Sequence, residues 1–243
     1  MSADTGRSVA SSFASYGVTL LGTVGLAYAP VGGKRVVALG DWASGVAWST
    51  SKVPLAVAAL RAAPIAAKPH VVQAISRSDN AAAEQLWSML GPPAVAAAAV
   101  DAVLREGGDT VTRVQSRRVR SEYTAFGQTQ WSTTQQALFT AHLPCIEVGT
   151  DVLALMRTLD PEHQWGLARL PGAAAKGGWG PDEKGVHLAR QLGVIPNGSG
   201  WTAVVLGARP KSGTFADGIA LLDRLTQWVG NHLRQLPAGR CPR

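Results

Sequence analysis

Long apolar runs, metal-ligand spacings and phosphate-binding loops are all missing from this 243-residue chain. No stretch reaches the roughly 20 consecutive apolar residues of a membrane-spanning helix, so no transmembrane segment is expected within it. The apolar stretch Gly17 to Ala29 is broken by glycines and follows no charged n-region, so it does not read as a signal peptide. His70, His142, His163, His187 and His232 fall in no H-x-x-x-H pattern, and Cys145 and Cys241 lie far apart. No metal site is expected from them. Gly177-Gly178 and Gly198 with Gly200 lack the strand, lysine and helix context of a phosphate loop, and no cofactor is implied. The chain shows no internal repeat and no low-complexity tract.

What is present suffices for one sizeable core, since 46% of the residues are hydrophobic, and the length is read as a single domain over 1–243. The formal net charge of +7 favours anionic surroundings such as cell-wall polymers, acidic lipid heads or nucleic acid. Arg and Lys are nevertheless scattered, and the one dense run, Arg113 to Arg120, comes with no nucleic-acid motif. It reads as a solvated basic face, and no nucleic-acid partner is expected.

The pattern along the chain changes twice. Val9 to Ser15 predicts a short helix ended by Gly17, followed by strands over Val18 to Tyr28 and Lys34 to Leu39 around the turn Ala29-Pro30-Val31-Gly32-Gly33. Ser49 to Ala62 favours helix, with Pro54 tolerable only in the first turn. Helical periodicity continues through Val71 to Ile75, Ala81 to Leu90, Val95 to Leu104, Thr133 to His142 and Asp151 to Leu159. Strands then return, and an amphipathic helix over Gly218 to Leu233 closes the chain. This order predicts an α/β (α+β) fold, in which an antiparallel sheet flanked by terminal helices carries an inserted all-helical lobe. The sheet lobe is placed at 1–50 plus 160–243 and the helical lobe at 51–159, with a cleft expected between them.

Three short motifs carry the chemistry. Ser49-Thr50-Ser51-Lys52 places a hydroxyl and an amine three residues apart, on one face if helical. Ser78-Asp79-Asn80 adds a second hydroxyl and an amide, and Lys176-Gly177-Gly178 a second cation. A serine hydroxyl needs a nearby proton acceptor to become a nucleophile, and a lysine desolvated beside other cations can serve. The same residues also fit a plain helix cap at Ser49, a surface charge at Lys52 and a turn at 78–80.

In this order the motifs resemble S-x-x-K, S-D-N and K-T-G of the penicillin-recognising serine hydrolases, the superfamily of class A β-lactamases and penicillin-binding proteins. The helix-like segment Ala81 to Trp87, the break at Gly91-Pro92-Pro93, and the strand-like runs Gly193 to Pro196 and Trp201 to Leu206 extend the likeness. The resemblance implies Ser49 as acyl-enzyme nucleophile, Lys52 as base and Ser78 as proton shuttle. It implies that Asn80 donates to the substrate carbonyl and that Lys176 adds positive potential. Gly177, Gly178 and Trp179 would form the substrate-binding edge, with the Trp179 N–H as an oxyanion donor. Asp79 is expected to tie down its loop.

Two departures bear on the expected activity. Gly177 stands where the family has Thr or Ser, so a hydroxyl that helps bind the substrate carboxylate is missing. The family's loop glutamate falls near Arg118, after the stretch Thr112-Arg113-Val114-Gln115-Ser116-Arg117, and the only acid close by in sequence is Glu122. An acyl-enzyme would then form and clear slowly, which argues against an efficient β-lactamase. The expected activity is hydrolysis or transfer on an amide or ester, with a small-molecule or cell-wall-derived peptide substrate. The alternative is a catalytically weak or inactive cell-envelope binding protein on the same fold. Because the family works outside the cytoplasm, Cys145 and Cys241 could pair, and two buried or free thiols are the other reading. Trp42, Trp48, Trp131 and Trp179 sit near the motifs and fit either a substrate wall or packing beneath a cleft.

Overall fold

In the computed structural model, which describes residues 3–242, helix α1 (Ala3–Gly17) leads into strand β1 (Gly22–Pro30). Strand β2 (Val37–Gly40) follows, and near the C-terminus come β5 (Ala174–Pro181), β6 (His187–Asn197), β7 (Gly200–Pro210) and helix α8 (Phe215–His232). The five strands form one antiparallel sheet in the order β2-β1-β7-β6-β5, which leaves β5 on an edge. Strand side chains alternate between faces. Leu26, Tyr28, Val204 and Leu206 pack under α1 and α8, while Ala27 and Val205 face the helical lobe. With both faces covered, the middle of β7, Ala203 to Ala208, reads in sequence as an unbroken apolar run. Leu221, Leu222, Leu225, Trp228 and Val229 form the buried stripe of α8, and Thr214 caps that helix by accepting from Asp217 N at 3.2 Å.

Between β2 and β5 lie α2 (Lys52–Ala62), α3 (Pro64–Ser76), α4 (Asn80–Met89), α5 (Pro93–Glu106), α6 (Thr133–His142) and α7 (Gly149–Met156). Two three-residue strands, β3 (Ser44–Val46) and β4 (Gln130–Ser132), pair beside them. Helix α6 packs on the sheet itself, against β1, β7 and β6, on the face opposite α8.

Several expected elements shift. Val18 to Leu21 form a turn after α1, with Leu20 N bonded to Gly17 O, and Val18 is 86% exposed, so β1 begins at Gly22. The second strand starts at Val37 because Val31 N and Gly32 N bond to Trp201 O and Ala141 O, outside the β1 ladder. Helix α3 is longer than its apolar core predicts. Pro64 occupies the first turn, where its missing N–H costs nothing, and Pro69 is accommodated within the helix.

Cys145 and Cys241 form a disulfide with Cα atoms 5.4 Å apart. It joins the end of α6 to the C-terminal tail, whose Gly239 pairs with Trp201. Closing a loop of 96 residues is worth about 4 to 5 kcal/mol in the chain-entropy model. Among the described residues no single helix is long and apolar enough to cross a membrane, and no group of acidic, His or Cys residues could hold a metal ion.

Candidate active site

Ser49 lies in a short 3-10 turn, Trp48–Ser51, immediately before α2. Trp48 has φ of 49°, a left-handed conformation costly for a bulky residue, which reverses the chain into the turn. Thr50 Oγ1 and Ser51 Oγ then donate to Ala47 O (2.5 Å) and Trp48 O (2.7 Å) and lock it. The residue in the cap position of α2 is Ser51, so Ser49 is not a helix cap.

Lys52, one turn on, is 1% exposed, which removes the surface-charge reading. Its ammonium donates to Ser78 O, to Asn80 Oδ1 at 2.7 Å and to Ser78 Oγ at 3.3 Å. Burial pulls its pKa down to about 7, partly opposed by the charge of Asp79. Lys176, on β5, reaches the same hydroxyl from the other side, with Nζ 2.8 Å from Ser78 Oγ and 3.0 Å from Gly177 O. Its pKa is drawn well below the usual lysine range by burial and then by Lys52. Ser78 thus accepts from two desolvated amines and keeps its own proton free to donate.

The loop carrying Ser78 is strained and tethered. Ser78 has φ of 56°, Asp79 N bonds to Gln73 O at 3.2 Å, and Asp79 Oδ1 caps α4 through Ala82 N at 2.7 Å. Asp79 therefore holds the loop and starts the helix on which Asn80 is first.

Strand β5 meets the 3-10 turn with no space to spare. A Cβ at residue 178 would lie 2.8 Å from Ser49 N and 2.9 Å from Thr50 N, so only glycine permits this approach. Alternation turns position 177 to the opposite face, where a Cβ would lie 2.3 Å from the Trp165 ring. The place expected for a substrate-facing hydroxyl is thus held by an indole, and Gly177 contributes its backbone carbonyl to Lys176.

A cleft of about 450 Å³ opens over these groups, lined by Ser49, Ser78 and Asn80 at its base. Trp179, Gly180 and Pro181 of β5 form one wall, and Glu122, Tyr123 and Gly127 the other. The second wall belongs to the segment 109–129, which is held by buried polar groups. Asp109 accepts from Thr112 N (2.9 Å) and Trp131 Nε1 (2.8 Å), while Gln128 bonds to the backbone of Arg120 and Tyr123. Arg118 lines the cleft and is paired with Glu84 at 2.9 Å. Glu122 lies on the rim, exposed and 3.3 Å from Arg120, its carboxyl held below the usual range by its own backbone N–H and then by Arg120.

Sequence reasoning missed four residues here. Glu84 lines the cleft, and its i, i+4 spacing from Asn80 on α4 is the signal that could have found it. Arg190, Gln136 and Thr50 form a buried network behind the 3-10 turn. Arg190 donates to Gln136 Oε1 (2.6 Å), Gly45 O (2.8 Å), Trp131 O (3.1 Å) and Val46 O (3.2 Å), and Gln136 Nε2 donates to Thr50 Oγ1 (2.9 Å). Among the described residues no carboxylate pairs with Arg190, and burial lowers its pKa to about 9. Its guanidinium also lies 5.1 Å from the Trp42 ring centroid. A consecutive Arg-Gln pair inside the apolar run 188–195 was the only hint in the sequence.

Of the aromatic residues near the motifs, Trp131 and Trp42 serve packing, since both are buried outside the cleft lining. Trp48 and Trp179 contribute to the cleft walls.

No protein-family model matches the chain, and no curated protein matches it in sequence. Solved structures do match. The chain is similar to TLA-3, an extended-spectrum β-lactamase, at 15% identity and TM-score 0.74, over 94% of this chain and 99% of that one. It is similar to a class A β-lactamase from Mycobacterium abscessus at 19% identity and TM-score 0.71, over 93% and 99% of the two chains. A β-lactamase from Xanthomonas campestris pv. campestris matches at 16% identity and TM-score 0.70, over 94% and 98%. The chain shares the fold of these β-lactamases.

Proposed function

We propose that this protein is a serine acyl-transfer enzyme that cleaves an amide or ester through an acyl-enzyme on Ser49. One observation carries the reading: Lys52 and Lys176, both buried and both depressed in pKa, converge on Ser78 Oγ at the base of the cleft that holds Ser49. Neutral Lys52 accepts the Ser49 proton as the Oγ–carbon bond forms. The Ser49 and Trp179 N–H groups hold the oxyanion. As the carbon–nitrogen or carbon–oxygen bond breaks, the proton passes from Lys52 through Ser78, 3.3 Å away, to the leaving group. Asn80 orients the acyl carbonyl. Water then cleaves the ester, releasing the acid and restoring the Ser49 hydroxyl.

The second step has weaker support. The two carboxylates that line the cleft among the described residues, Glu84 and Glu122, are both engaged by arginines, at 2.9 and 3.3 Å, and neither is free to take up a water. Acylation followed by slow clearance is therefore the expected course, and efficient β-lactam hydrolysis is not. The disulfide supports a location outside the cytoplasm, where such bonds persist, and hence a cell-envelope substrate such as a wall peptide.

A competing reading, a non-catalytic binding protein on this fold, is favoured by Arg118 at the place expected for an acid. Intact mass after incubation with benzylpenicillin, and separately with a fluorophosphonate, decides between them. A lasting adduct in wild type and none in Ser49→Ala is the expected result. No adduct with either probe in folded protein moves the assignment to the binding protein.

A further inference from the structure

The cleft over Ser49 is poor in free positive charge and rich in ring faces. Arg118 is its only lining arginine or lysine among the described residues, and Glu84 neutralises it at 2.9 Å. Glu122 leaves the lining with one carboxylate in excess, and its own partner, Arg120, is further engaged by Pro181 O. Below, Lys176 is buried and committed to Ser78 Oγ and Gly177 O. An incoming carboxylate would leave water to meet two acids and, among the described lining residues, no unpaired arginine or lysine.

The β5 wall offers apolar area instead. Trp179 is partly exposed in the cleft and stacked on Phe215, with centroids 4.9 Å apart and planes 26° apart. Trp165, filling the space left by Gly177, braces it edge-on at 6.1 Å and 74°. Beside it, the Trp48 ring packs over Gly180 of the same strand and forms a second edge-to-face pair with Tyr123 at 4.9 Å and 75°. Aromatic surface braced in this way suits a flat or aliphatic group with little ordering cost.

We propose that the acyl donor of this cleft is uncharged and lays a flat or aliphatic group on Trp179, so that a neutral ester or amide reacts in preference to its carboxylate-bearing counterpart. This rests on Ser49 being the nucleophile. Benzylpenicillin and its methyl ester share one reactive ring and differ in charge, and a ring-opened adduct keeps the whole mass of either probe. The acylation rate of wild type with the methyl ester is expected to exceed that with the free acid by at least about tenfold. Trp179→Ala is expected to lose most of that advantage, and Trp179→Phe to keep it, the ratio of the two rates being compared within each folded variant. Equal or faster reaction of the free acid overturns the proposal. If folded wild type resists the fluorophosphonate as well, the nucleophile assignment itself falls, a distinct result.

Discussion

The two sides of the cleft carry similar numbers of ionisable groups and treat them in opposite ways. At the base, Lys52 and Lys176 are taken out of water with no carboxylate in ion-pair contact among the described residues, and burial pulls both toward the neutral form against the more distant charge of Asp79 on Lys52. On the rim, Glu84 and Glu122 stay partly or fully in water, each matched to an arginine. Burial without a contacting counter-ion favours the neutral form of a lysine, while the exposed Glu122 carboxylate beside Arg120 is held in its charged form. On the proposed reading, the first half of the reaction is well provided for and the second half is not.

Removing the buried amine breaks this contrast most severely. Lys52→Ala is expected to slow acylation by about 10² to 10⁴, read as the rate of fluorophosphonate adduct formation. In wild type that rate should climb as pH rises through about 7, since on the proposed reading the neutral amine is the base. A rate that falls over this range, or acylation intact in Lys52→Ala, removes Lys52 from the mechanism. The same depression has a stability signature. The folded value of about 7 lies below the ordinary 10.5, so between these values the unfolded chain holds the extra proton and stability rises with pH. Lys52→Met should flatten that rise in the melting temperature.

Arg190 extends the comparison to a third kind of site, a buried cation with no carboxylate that remains charged because four oxygens and an indole face surround it. Arg190→Met strands Gln136 and the carbonyls of 45, 46 and 131, at a cost of about 3 to 5 kcal/mol in denaturant titration. Arg190→Lys keeps the charge and loses the fork, and should recover only part of the stability. A loss under about 1 kcal/mol for Arg190→Met would show that the network does not hold the turn.

How legible these sites are follows sequence distance. Ser49 and Lys52 are read together because three residues separate them, and the motif order carries the fold because each motif is local. Gln136 and Thr50 are 86 residues apart, and Arg190 and Gln136 are 54 apart, so no window of sequence contains their network. Trp165 can be seen to fill the space at Gly177 only once the chain has folded back along β5. Helix α3 extends seven residues ahead of the apolar segment Val71 to Ile75, through Pro64 in the first turn, where the helix needs no N–H, and Pro69. The strands β3 and β4 are three residues each, too short for alternation to register.

The smallest expected effect sharpens the rim side. If pairing with Arg118 keeps Glu84 from acting as a base, then Arg118→Gln frees its carboxylate 2.9 Å away, and adduct clearance should quicken by about three- to tenfold. Glu84→Gln placed in the same variant should cancel the gain, which assigns it to that carboxylate and not to a loosened loop. Glu122→Gln should change clearance by less than about twofold, because its exposed carboxylate sits in solvent beside Arg120 and has little to lose. The reverse ranking, with Glu122→Gln slowing clearance and Arg118→Gln inert, would move the base of the second step from helix α4 to the 109–129 segment. The contrast between base and rim would then lie between a helix and a strand below and one loop above.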